Sequence, residues 1–185
     1  MITRTNLFIC VVAVFLVILV GVAIYFLLRI RRASRATWSD IMGRLIEVDR
    51  NRIAVVALDL IDETGQPREN GASEIEPESL WDLVGGMNGL EILEKNCEVL
   101  IDLAAYVQRW HPEALVVAEQ LRLNAREIQW HVARLKGAAQ TGNLISSFPL
   151  YAQRAVATYY LMTRNLLELY ERGNLAEFAQ LEAVL

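Results

Sequence analysis

The sequence predicts an all-α protein: one N-terminal transmembrane helix, then a bundle of about four long helices closed by a short C-terminal one. Three observations carry this reading. Residues 7–28, LFICVVAVFLVILVGVAIYFLL, contain no charged residue, and a helix needs about 20 apolar residues to cross a bilayer. After them, apolar residues recur at three- and four-residue steps through several long segments, the pattern of helices with one buried face. The one run apolar enough to be a buried strand, IAVVALDLI, has no β-rich partner elsewhere.

The apolar run is an anchor and not a cleaved signal, whose apolar core is about 7 to 15 residues long and ends in a small-residue cleavage site. Here Leu28 is followed by Arg29, Ile30, Arg31 and Arg32, with Arg35 beyond. Cations are retained on the cytoplasmic side, so residues 1–6 are expected outside and the rest of the chain in the cytoplasm. The span carries no ionisable group of the kind that transport paths require. The domain division is therefore an extracytoplasmic 1–6, an anchor at 7–28, a basic juxtamembrane segment at 29–37 and a helical domain at 38–185. The bilayer is the first expected partner.

Charge narrows the others. Five of the 18 Lys plus Arg residues (Arg4, Arg29, Arg31, Arg32 and Arg35) flank the apolar run, while all 22 Asp plus Glu lie beyond residue 36. The domain thus holds 13 cations against 22 anions, a net charge of −9, which argues against nucleic acid as a partner, because phosphate binding needs a basic face. Cys97 is the lone cysteine outside the span, so no disulfide can form within the domain.

The first helix is expected from Trp38 to Asp62, with Thr37 as N-cap and Asp40 reaching back to the first turn. Trp38, Ile41, Leu45, Val48, Val56 and Leu60 share its apolar spacing. Residues 63–76, with Gly65, Pro67, Asn70 and Gly71, form a long loop of turn residues, expected to be mobile.

Pro77 is pre-set for a first helical position and opens a helix through Trp110, since the residue before Pro112 is biased away from helical geometry. Leu80, Leu83, Met87, Leu90, Cys97, Ile101 and Ala104 form its seam, interrupted by GGMNG at 85–89. Each interior glycine costs about 1 kcal/mol relative to alanine. Gly85, Gly86 and Gly89 therefore mark a kink or break, or a close approach of another backbone. No strand precedes them and no G-K-[ST] follows, so they are not a phosphate loop.

Pro112 starts the next helix, whose stripe is Val117, Leu121, Ala125, Ile128, Val132 and Leu135, opposite Glu119, Arg122, Arg126 and Glu127, with Gly137, Gly142 and Asn143 ending it. Pro149 opens another, carrying Ala152, Ala155, Val156, Tyr159, Met162, Leu166 and Leu169 and ended by Gly173. Asn174 with Glu177 is an N-cap signal for the last, short amphipathic helix, with Leu175, Phe178 and Leu181 on one face.

Chemistry is sparse. The only histidines are His111 and His131, and neither stands in the Glu-x-x-His pattern of bundle metal sites. Glu127 and His131 share a helical face, which is ordinarily a modest surface pair. Cys97 lies on an apolar seam, where it behaves as a small hydrophobe. No G-x-S-x-G, H-E-x-x-H or P-loop occurs. No cofactor or metal site is therefore expected, and the catalytic alternative rests on His131, Glu127 or Cys97 alone. The aromatic residues read as core and boundary, with Trp130, Tyr151, Phe178 and Leu181 as candidate interface residues. The expected function is a non-catalytic single-pass membrane protein whose cytoplasmic domain is an interaction module or accessory subunit, bound to another protein or to copies of itself. The alternative is a tethered sensor that holds a small ligand between helices at the glycine kink.

Overall fold

The computed structural model describes residues 10–21, 24, 37–62, 64–68 and 74–185. The chain divides into two units, 1–37 and 38–185. In the first, residues 10–21 and 24 are helical (α1), and the side chains of 10–21 are exposed. Among the described residues no helix is long and apolar enough to cross a membrane. The expected span is described only in part: residues 1–9, 22–23 and 25–28 lie outside the described residues, as do Arg29, Arg31, Arg32 and Arg35.

The second unit is a helical bundle. Its elements are α2 (Trp38–Met42), α3 (Arg50–Leu60), α4 (Pro77–Val84), α5 (Gly86–Val107), α6 (Ala114–Gln140), α7 (Leu144–Arg172) and α8 (Phe178–Val184). Short connections at 108–113 and 141–143 join α5, α6 and α7 in sequence. The centre is α7, which packs against α3, α4, α5, α6 and α8. Its residues Ala152, Ala155, Val156, Tyr159, Met162, Leu166 and Tyr170 are all at most 1 % exposed, and the alanines among them let neighbouring helices approach closely.

The expected helix from Trp38 to Asp62 is two helices. Residues 45–49 between them are not helical, and the cause is a side chain elsewhere in the sequence. Asn96 on α5 is fully buried. Its Oδ1 accepts from the Ile46 amide at 3.0 Å, and its Nδ2 donates to the Ile46 carbonyl at 2.7 Å and to the Tyr159 hydroxyl at 3.3 Å. A buried amide left without partners would cost about 1–3 kcal/mol, and Ile46 can satisfy it only with its own backbone groups released from a helix. Arg44 holds the same segment to α5 through Asp102 at 2.7 Å. Helix resumes at Arg50 because Asp49 caps it, accepting from the Asn51 and Arg52 amides.

The glycine cluster is a break. Gly85 adopts the left-handed conformation, φ 76°, closing α4, and Gly86 follows at φ 61° as α5 begins. Close approach operates as well. A Cβ on Gly89 would fall 1.7 Å from the Val84 carbonyl oxygen, and one on Gly86 would fall 2.7 Å from the Trp81 ring. The long helix expected through Trp110 thus becomes α4 and α5, the latter ending at Val107.

Three smaller differences concern where helices begin and end. Gly137 lies inside α6, which runs on to Gln140 and ends before Gly142 at φ 75°. Pro149 lies inside α7, which starts at Leu144. The bond that proline cannot make would go to Ile145, a residue 86 % exposed, where hydration replaces it. Asn174 is not an N-cap: it takes a left-handed φ of 47° after Gly173, and α8 begins four residues later. In the expected loop, residues 61–62 and 64–68 belong to a tight turn. The Asp62 carboxylate accepts from the Thr64 hydroxyl and from the Thr64 and Gln66 amides, and these bonds, Thr64 first, hold its carboxyl below the ordinary carboxylate range. Residues 63 and 69–73 lie outside the described residues.

The two helix breaks differ in how they respond to mutation. Asn96→Leu should destabilise the domain by about 1–3 kcal/mol, because it removes three hydrogen bonds to partly or fully buried partners; an unchanged chemical-denaturation midpoint would show that the clamp does not matter. At the second break, Gly89→Ala should destabilise strongly in the same assay. Gly137 is the contrast, since a methyl group added there would meet nothing within 4 Å, and Gly137→Ala should stabilise by about 0.5–1 kcal/mol.

Candidate functional site

The surface of α6 differs from that of the other long helices. Its inner face is a strict heptad, Ala118, Leu121, Ala125, Ile128, Val132 and Leu135, each buried. Residues directly opposite such a seam normally carry charge. Here the outermost row is Val116, Leu123 and Trp130, exposed by 72 %, 59 % and 48 %, followed at the same spacing by the exposed Gly137. Two polar rows flank it: Glu119 and Arg126 on one side, Gln120, Glu127 and Arg134 on the other, all exposed. The Arg134 guanidinium sits over the Trp130 ring, 5.0 Å from its centroid. Arg122, at the inner edge, pairs with Glu119 one turn earlier.

Under this row lies His131, 2 % exposed. The Trp130 ring meets it edge-on at 5.0 Å, and Tyr151 of α7 lies 5.7 Å from both rings. Neither imidazole nitrogen has a hydrogen-bond partner among the described residues. Glu127 is 3.7 Å from Nε2, beyond direct hydrogen-bond reach, and acts through its charge. Burial is the largest influence and pushes the imidazole below its ordinary value of 6.5; Glu127 opposes it and the Arg154 charge reinforces it.

A second feature is a groove of about 260 Å³ where α3, α7 and α8 meet. Val48, Ile53, Leu167 and Phe178 give it apolar walls, and Arg50, Glu171 and Glu182 line it. Arg164 and Arg172 are both engaged by Glu168, at 3.3 and 2.8 Å.

Of the candidate interface residues, Trp130 and Tyr151 are brought together at the α6–α7 corner. Phe178 and Leu181 belong to α8, which docks on α7. Phe178 is half-buried at the groove, and Leu181 is fully buried, so the Leu181 side chain serves the bundle's own core. Gly85, Gly86 and Gly89 are placed at the α4–α5 break, where the Trp81 ring packs close to Gly86 and the Val84 carbonyl close to Gly89. Cys97 is buried, its thiol donating to the Leu93 carbonyl, and burial pushes it up to about 12, so little thiolate exists near neutrality. Among the described residues no group of His, Cys, Asp or Glu is arranged to hold a metal. The sequence pattern does not single out Val116 and Leu123 as interface residues, because Glu119, Arg126 and Glu127 flank them; their seven-residue spacing to Trp130 is the signal that marks the row. Compared with protein-family models, curated proteins and solved structures, the chain matches none.

The His131 environment sets a pH dependence. The folded state disfavours the imidazolium, so in the interval below 6.5 the unfolded chain binds the proton first. This contribution to stability is complete above that value and lost as the pH falls through it. Thermal unfolding followed between about pH 8 and about pH 5 should show a loss that His131→Phe reduces; the same slope in the variant would assign it to other groups.

Proposed function

We propose that this chain is a non-catalytic, membrane-tethered protein whose helical domain docks protein at the outward face of α6. The observation that carries the reading is the row Val116, Leu123 and Trp130, which places large apolar side chains in water along the side of α6 farthest from its own core. Such a row raises no stability within the bundle, and exposed apolar patches on small domains mark interaction sites. Aromatic anchors with a neighbouring arginine, as Trp130 and Arg134 provide, are typical of binding centres.

The tether is supported by the uncharged residues 7–28 and by Arg29, Arg31, Arg32 and Arg35 after them, which by the distribution of cations favour residues 36–185 on the cytoplasmic side of the membrane. The acidic domain, net −9, favours protein over nucleic acid as the partner class. A second reading, a sensor of small ligands, finds room in the groove between α3, α7 and α8, away from the glycines; a thermal-shift screen of small molecules tests it.

Two measurements test the main reading. A reporter fused to the C-terminus should be active in the cytoplasm, and activity on the far side of the membrane would reverse the orientation. The full chain extracted from its native membrane in mild detergent should carry a stoichiometric protein partner, this chain or another, that Leu123→Glu releases. Retention of all partners by that variant would remove α6 from the reading.

A further inference from the structure

The geometry points to a second copy of this chain as the occupant of the α6 face, with the two α6 helices antiparallel and crossing at Leu123. This rests on the reading of α6 as an interaction face and adds the partner, the direction and the register. A row repeating every seven residues follows a second helix, because a seven-residue repeat keeps one seam in register with a partner as both helices wind. Antiparallel pairing about Leu123 places Leu123 on its own copy and Val116 against Trp130 at both ends, a small side chain against a large one.

The flanking charges select the same register. A two-fold axis normal to the plane of two antiparallel helices keeps each flank facing the same flank of the other copy. Glu119 then lies beside Arg126 of the second copy, and Arg126 beside its Glu119. On the other flank Glu113, in helical backbone conformation as the N-cap of α6, lies beside Arg134 of the second copy, while Gln120 faces Glu127. Each opposite-charge pair occurs twice and no like charges meet. Sliding one heptad toward the N-terminus sets Glu119 against Glu119; sliding one heptad the other way sets Arg126 against Arg126 and Glu127 against Glu127. Like charges directly opposed are unfavourable, so one antiparallel register stands out. A parallel, in-register pair would stack Trp130 on Trp130 and leave only Arg126 with Glu127 as an opposite-charge contact.

The test uses the full chain in detergent with Cys10→Ser, since Cys10 is exposed and Cys97 is buried. Chains carrying Val116→Cys, mixed with chains carrying Trp130→Cys, should form a mixed disulfide dimer under mild oxidation, whereas Val116→Cys alone should not. Without cross-linking, Glu119→Arg and Arg126→Glu should each weaken the dimer by about tenfold, and the double variant should restore it. Both side chains are exposed, and the Glu119–Arg122 pair that the first variant loses is a surface contact worth little to stability, so folding survives the changes. A pure chain that stays monomeric, a dimer indifferent to these reversals, or homodimeric cross-linking at position 116 would overturn the inference. If the pure chain is monomeric while Leu123→Glu still releases another protein from the native complex, the interaction face stands and the second copy does not. If that variant releases nothing, both fail.

Discussion

The arrangement of the bundle turns on the burial of one side-chain amide. Asn96 projects from α5 toward Tyr159 of α7 with no access to water, and a buried polar group must be satisfied within the protein. The solution takes the backbone of Ile46 out of helix and ties it to α5, with the Tyr159 hydroxyl of α7 as the third partner. Three elements distant in sequence are fixed by one residue. The next part of the chain depends on it: the non-helical segment 45–49 delivers Asp49 to cap α3, sets α3 against α7, and brings Val48 and Arg50 to the wall of the groove. Tyr170 plays the matching part lower on α7, its hydroxyl donating to the Leu103 carbonyl of α5 at 3.0 Å. Burial raises both phenols far above their ordinary range, so they remain donors and acceptors across any physiological pH.

How much of this could be read from the sequence depends on where the determining residue lies. The glycine cluster was legible because its cause is local: Gly85, Gly86 and Gly89 allow φ above zero and a backbone contact that alanine would forbid. The helical character of the long segments was legible for the same reason, whereas at the end of α7 it is Asn174, and not Gly173, that takes the left-handed conformation. The split of the first helix was not, since the apolar spacing through Ile41, Leu45 and Val48 continues smoothly across it, and the side chain that imposes it lies 50 positions away. Pro149 misled in the opposite sense. Proline is a good first residue, yet the α6–α7 hairpin holds Phe148 buried against Trp81, ring centroids 4.4 Å apart, and helix extends backward past the proline to reach it.

The candidate site shows the same division. Trp130 and Tyr151 could be named as aromatic anchors from composition, but their meeting over His131 depends on the register between α6 and α7. The row that includes Val116 and Leu123 was hidden by its flanks. Glu119, Arg122, Arg126 and Glu127 mark that side of α6 as solvated, and a solvated face with one apolar residue per heptad resembles ordinary surface until the buried heptad is located. Once Leu121, Ile128 and Leu135 are known to point inward, Leu123 is fixed as the outermost position, and its hydrophobicity calls for an explanation other than the fold.

A docking role fits the modesty of that surface. One apolar row flanked by charges is a narrow seam, and side chains that remain in water for part of the time must keep the free chain soluble. In dilute solution such a seam holds a partner weakly, because association has to overcome the loss of translational and rotational freedom. Tethering to a membrane removes much of that cost by confining both partners to one surface at high effective concentration. A narrow seam that would be inadequate for a freely diffusing protein is then sufficient for an anchored one, and the charge pattern supplies the register that the small apolar area cannot. In the proposed function the apolar run at residues 7–28 and the outward row of α6 are thus complementary: the anchor supplies concentration, and α6 supplies the choice of partner.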